Sequence, residues 1–182
     1  WDDPGLLVRG HDHSPTVMMG HQNPAYQAWI ERLGYGTAKT LYTYDVNVTS
    51  SFPPLVDRIV AMGEKNPRIR IRQADVNRVR EEAETIFAIL NDAWSGNWGF
   101  VPITEAEIAY ISKKVRPLIK PDLLRIAELD GEPVAFMLTF PDFNNRIKPF
   151  GGHLFPLNIL KLLWWLRHPV GPRMRVPLMG VV

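Results

Sequence analysis

Leu123-Leu124-Arg125-Ile126-Ala127-Glu128-Leu129 and Pro133-Val134-Ala135-Phe136-Met137-Leu138-Thr139-Phe140 flank the pair Asp130-Gly131. Both runs are rich in branched and aromatic residues. An acidic residue followed by glycine takes up the backbone angles that a tight turn between twisted strands needs. The stretch predicts a β-hairpin, the strongest strand signal in the chain. Upstream, Ile69 and Ile71 alternate with Arg68, Arg70 and Arg72, the period-two pattern of a strand with one wet face. Asp75 is placed to cap the next helix. In that helix Val79, Ala83, Ile86, Phe87, Leu90 and Trp94 recur at three- and four-residue spacing. Thr104-Glu105-Ala106-Glu107 is a capping box. It opens a second helix with Ile108, Ile111 and Val115 on the buried stripe, and Pro117 closes it. Downstream, a glycine- and asparagine-rich loop from Pro141 to Gly152 leads into an apolar helix over 157–166 and a last strand over 174–182. The order strand, helix, helix, hairpin, inserted helix, strand predicts an α+β fold, with helices packed on a mixed, mostly antiparallel sheet.

Between the two helices lies Asn91-Asp92-Ala93-Trp94-Ser95-Gly96-Asn97-Trp98-Gly99-Phe100-Val101-Pro102. Flat apolar rings, glycines that admit close approach and amide side chains that can orient a polar group are concentrated here. The bland interpretation is a well-packed corner between helices, and the functional one is part of a pocket.

The first third reads differently. Gly5-Leu6-Leu7-Val8 and Thr16-Val17-Met18-Met19 are short apolar runs bounded by turn residues, and predict strands. Pro24 can open a helix with Ala25, Tyr26, Trp29, Ile30 and Leu33 on one face, stopped by Gly34. Lys39 to Val46 is rich in β-formers. Asn47 to Pro54 is polar and proline-rich, hence a linker, and Leu55, Val56, Ile59, Val60 and Met62 predict a short helix.

The chain begins at Trp1 and ends inside the apolar run Val176 to Val182, which predicts a fragment of a longer protein. Its 182 residues suffice for one sizeable core or parts of two. A formal net charge of +2 gives no case for a nucleic-acid partner. The arginines at 68, 70, 72, 78 and 80 read as a solvated strand face and helix start. Without cysteine there is no disulfide or thiolate chemistry, and a reducing, cytoplasmic setting fits. The longest apolar run, over 154–166, is broken by Asn158 and Lys161 and falls short of the ~20 residues that span a bilayer. It reads as a buried or interfacial helix. His11, His13 and His21 match no familiar ligand spacing, so no metal is expected.

The aromatic loop between two helices and the acidic-glycine hairpin resemble the first two-thirds of a GCN5-related N-acetyltransferase (GNAT) domain. Asn91 to Trp94 followed by Asn97 to Thr104, Ile126-Ala127-Glu128, Gly131 to Phe136, and Pro141-Asp142-Phe143-Asn144 look like a bacterial group with acetyltransferase-like halves in tandem. Asn23-Pro24-Ala25-Tyr26, Leu33-Gly34-Tyr35 and Leu41-Tyr42 are similar to the closing segment of such a fold. The resemblance implies that residues 1–46 close a first half, 47–67 form a linker with a short helix, and 68–182 open a second half.

It also implies chemistry: transfer of an acetyl group from acetyl-CoA to an amine on a small molecule or peptide. Backbone of the last strand at Met179, Val181 and Val182 would pair with the pantetheine arm, and Asn23 would touch cofactor in the first half. Asn97 and Trp98 would build the acceptor pocket, with Asp142 and Asn144 near the same cleft. For Asp142 and Asn144 the competing explanation is turn chemistry; for Asn97 and Trp98 it is a capped helix end with a buried ring. A general base is expected, because an ammonium must lose a proton before attacking a thioester. Glu105, Glu107 and Glu128 are candidates that the sequence does not separate. Tyr26, Tyr35 and Tyr42 are equally undistinguished as proton donors to the leaving thiolate.

The Arg/Gln-x-x-Gly-x-Gly/Ala loop that holds the pyrophosphate in this family does not occur in the 182 residues. The fragment by itself is therefore expected to hold acetyl-CoA poorly. The rival expectation is a non-catalytic acetyltransferase-like scaffold or interaction module, docking through the helix that carries Trp164 and Trp165.

Overall fold

A computed structural model describes residues 5–115, 119–169, 171 and 173–182. Its core is a four-stranded antiparallel sheet in the order β1 (Ile69–Gln73), β2 (Leu124–Leu129), β3 (Glu132–Pro141), β4 (Met174–Val181). The β2–β3 hairpin turns through Asp130 at φ 53° and Gly131 at φ 91°, the paired positive angles that the Asp-Gly signal demands. Arg68 clasps the Asp130 carboxylate and fastens the start of β1 to the turn.

Sheet register decides which side chains meet. Arg72 pairs with Ile126, Ile126 with Phe136, and Phe136 with Gly180, so these four lie in one row on one face. Helix α3 (Val79–Ala93) covers that row and buries Ile86, Phe87, Ile89 and Leu90 against it. Leu124, Leu138, Phe140 and Leu178 complete the core, and α4 (Glu105–Val115) adds Ile111. Each such side chain contributes roughly 1.5–3 kcal/mol on burial. Gly180 is required by proximity: a Cβ there would stand 3.1 Å from the Phe136 ring and 3.2 Å from the Ala93 methyl. Its absence lets the end of α3 settle close to β4. The opposite face, with Ile71, Met137, Met179 and Val181, is left largely exposed.

The capping box forms as expected. The Thr104 N–H and hydroxyl both reach the Glu107 carboxylate, at 2.9 and 2.7 Å, and the Glu107 N–H points back at the Thr104 hydroxyl. Asp75 does not cap α3. Its Oδ1 accepts the Asn77 N–H in a separate turn that ends at Arg78, just before the helix. The expected Pro117 stop lies outside the described residues.

The first third departs most from expectation. Residues 5–8, 16–19 and 39–46 form no strand: a strand exists only where it is paired, and the described sheet pairs β1 to β4 with one another alone. Instead Val17 drops into the core, only 1% exposed. Its carbonyl accepts from Arg175, and the Pro15 carbonyl accepts from the Asn144 amide. Helices α1 (Ala25–Arg32) and α2 (Pro54–Glu64) form where expected, but neither buries a residue. Beyond β3, a short helix α5 (Asn144–Ile147) and a 3-10 turn lead to α6 (Asn158–Arg167). No helix among the described residues is long and apolar enough to cross a membrane.

Candidate functional site

β4 is an edge strand. Its Val182 N–H donates to the Val134 carbonyl at 2.9 Å. Antiparallel alternation therefore turns the peptide groups of Leu178, Gly180 and Val182 toward β3, and those of Met179 and Val181 outward. Of the three residues expected to pair through backbone, Met179 and Val181 have peptide groups that face outward from the sheet, whereas the N–H of Val182 is spent within it.

The outward edge is finished by the aromatic loop. The Trp94 indole N–H donates to the Met179 carbonyl at 2.9 Å, and Phe100 packs edge-on against Trp94 with ring centroids 5.9 Å apart. Asn91 clamps the far end of the loop, donating to the Ile103 carbonyl and accepting the Ile103 N–H. The loop is thus a strap from the end of α3 across the β4 edge to the start of α4. Asn97 and Trp98 sit at its outer turn, with Trp98 64% exposed rather than buried. Gly99, at φ 72°, supplies the left-handed step that returns the chain.

The other expected site residues lie elsewhere. Asp142 is buried at the opposite end of β3, where its carboxylate accepts the Asn144 N–H and the Asn145 amide, and its own N–H donates to the Arg173 carbonyl. Six residues of strand separate Arg173 from Met179, about 20 Å. Asp142 and Asn144 therefore share no cleft with Asn97 and Trp98; they organise the α5 loop and hold the 14–17 segment. Asn23 accepts the Ala25 N–H at the start of α1. Among the described residues no hydrogen bond ties it to β4.

Two features escaped the sequence. Between α3, α4 and the sheet is an apolar cavity of about 80 Å³, lined by Val79, Ala83, Ile86, Ile111, Leu138 and Phe140, among others. At its margin is Glu82, whose Oε1 accepts from Arg72 at 2.7 Å and whose Oε2 is buried without a partner. Arg72 also reaches Glu128 at 2.5 Å, and Arg70 approaches the same carboxylate at 3.8 Å. The expectation that Arg72 lies on a wet strand face fails: its side chain is 24% exposed and is turned under α3, while Ile69 and Ile71 take the open face. Burial works to lower the Arg72 pKa, but the hydrogen bonds to Glu128 and Glu82 outweigh it and the net shift is upward. Glu128 is thus a structural ion-pair partner. Glu107, drawn below the usual carboxylate range by its bonds to Thr104, is a cap. Among the described residues no cluster of three or more histidine, aspartate or glutamate side chains is arranged to hold a metal. His21 instead contacts the His11 carbonyl.

The class that this geometry defines is an α+β fold whose open-edged antiparallel sheet is covered on one face by helices and strapped by an aromatic loop. No protein-family model matches the chain. It is 39% identical over 181 residues to the bacterial ceramide synthase of Caulobacter vibrioides, a match that takes in 99% of this chain and 47% of that protein. It is 38% identical over 180 residues to protein YghO of Escherichia coli, across 98% of this chain and 46% of that protein. The chain spans about half the length of the curated relatives it matches.

Proposed function

We propose that the chain is the part of an acetyltransferase-like N-acyltransferase that presents an acyl thioester to an amine. The observation that carries this is the outward edge of β4. Met179 and Val181 offer peptide groups in the spacing of a ladder, and an extended, amide-bearing arm such as pantetheine adds to such an edge as a strand would. The Trp94 indole occupies the Met179 carbonyl, leaving the N–H groups of Met179 and Val181 as the donors. The outward edge of β4 thus fits the arm of a CoA thioester.

One relative is named for making a ceramide, a lipid in which an acyl group is amide-linked to a long-chain amine. Ceramide formation and N-acetyl transfer are the same event. The amine nitrogen bonds to the thioester carbonyl carbon, the C–S bond breaks, the nitrogen gives up a proton, and the thiol leaves with one. That name favours a long-chain amine over a peptide as acceptor, and a fatty acyl group over acetyl as cargo.

The test is to incubate the full-length parent with a fatty acyl-CoA and a long-chain amino alcohol, following free thiol and the amide by mass spectrometry. Equal amounts of thiol and amide are expected. Thiol release only with short hydrophilic amines would overturn the lipid acceptor and keep acyl transfer. A parent that neither binds nor cleaves the thioester would sink the enzyme and leave a non-catalytic scaffold.

A further inference from the structure

The small net charge of the chain conceals an uneven distribution. Asp142 is the last acidic residue, and Arg146, Lys148, Lys161, Arg167, Arg173 and Arg175 all follow it. Arg173 is paired with Asp45, and Lys148 and Arg175 donate to Ser14 and the Val17 carbonyl. Among the described residues no carboxylate pairs with Arg146, Lys161 or Arg167.

In the middle of this cationic stretch α6 is held down by one buried side chain, Trp165. At 100° per residue the arc turned away from Trp165 carries Leu160, Leu163, Trp164 and Arg167. Leu160 is 61% exposed and Trp164 63%, and the approach to the helix adds Phe155 at 76% and Leu157. An apolar, tryptophan-bearing face with an arginine at its last turn, a lysine on its flank and no acid near in sequence is the composition of a helix that lies in a lipid interface. The aliphatic stems of Lys161 and Arg167 let the apolar arc enter while their charges stay at the headgroups.

We propose that α6, with the Leu154–Leu157 approach, docks on an anionic phospholipid surface, with Leu160, Leu163 and Trp164 inserted and Lys161 and Arg167 among the headgroups. Charge complementarity selects this occupant over a second copy of the chain, which would bring the same cations together without a carboxylate between them. The proposal does not depend on the acyl-transfer reaction.

The test is flotation of the full-length protein with vesicles of phosphatidylcholine alone, or with about one-third phosphatidylglycerol. The protein is expected to float with the anionic vesicles and to be released as salt is raised. L160E/W164E should bind at least tenfold less while melting at the same temperature, since both side chains are exposed. K161E/R167E should lose the preference for anionic over neutral vesicles. Failure of the parent to float overturns the proposal, as does undiminished binding by L160E/W164E. A dimer in light scattering that this variant dissociates would assign the face to a second copy. Shielding of Trp164 from a soluble quencher without vesicles would assign it to the rest of the protein.

Discussion

Helices α3 and α6 are both amphipathic by sequence, yet they end in opposite circumstances. α3 lies on the row Arg72, Ile126, Phe136, Gly180 and buries four apolar side chains. The cation beneath it, Arg72, is held by two carboxylates. α6 buries one tryptophan, and neither Lys161 nor Arg167 meets a carboxylate among the described residues. The difference teaches that an apolar stripe announces a surface to be covered, whereas the charges around it indicate what covers it. Under α3 carboxylates of the same chain meet the cation; the stretch that carries α6 has no acid of its own after Asp142.

The sharpest way to break the comparison is beneath α3. Replacing Arg72 by Met strands Glu82 and Glu128 in the interior and should cost about 3–5 kcal/mol in a denaturant titration. Replacing Arg72, Glu82 and Glu128 together by apolar residues should recover most of it, because the carboxylates then no longer need a partner. Leu90→Ala should cost about 2–5 kcal/mol by opening a cavity at a site 1% exposed. Gly180→Ala comes next, at roughly 1–3 kcal/mol, because its methyl must push Phe136 or Ala93 aside. That shift should also loosen the Trp94 bond to Met179, visible as a change in tryptophan emission. On α6, Leu160→Ala should move stability by less than about 0.5 kcal/mol. A cost near that of Leu90→Ala would mean that α6 is packed after all, and the contrast would fail.

The smallest effect is a pH dependence. Glu107 is held below its ordinary value, first by the Thr104 backbone N–H and then by its hydroxyl. A lowered folded-state pKa stabilises above the ordinary carboxylate range, and the contribution disappears as pH falls through the lowered value. Melting temperatures of the wild type and Glu107→Gln should therefore converge at acid pH and separate toward neutrality.

How much was legible follows from the range of each signal. Asp130-Gly131, the Thr104–Glu107 box and the stripe of α3 act within a few residues, and all three form as the sequence implies. The β-formers at 39–46 made no strand because a strand needs a partner that local composition does not specify. Asp142 and Asn144 carry the side chains of a site but serve a loop, a distinction that only their hydrogen bonds reveal. The turning of Arg72 under α3 was hidden for a similar reason: alternation marks two faces without saying which one a helix will cover. Glu82 was invisible as a buried acid because its partner lies on a strand ten residues earlier, and the reach of Trp94 to Met179 spans 85 residues.

The edge of β4 also bears on solubility during synthesis. An open row of peptide groups invites a strand from another molecule, and repeated addition of that kind builds aggregates. Pro177 has no N–H to give, and the ladder between β3 and β4 slips between Leu138 and Phe140, next to that proline. At the other end the Trp94 indole already occupies the Met179 carbonyl. The tryptophan that straps the edge thus also takes one of its acceptors out of reach of a neighbour's strand.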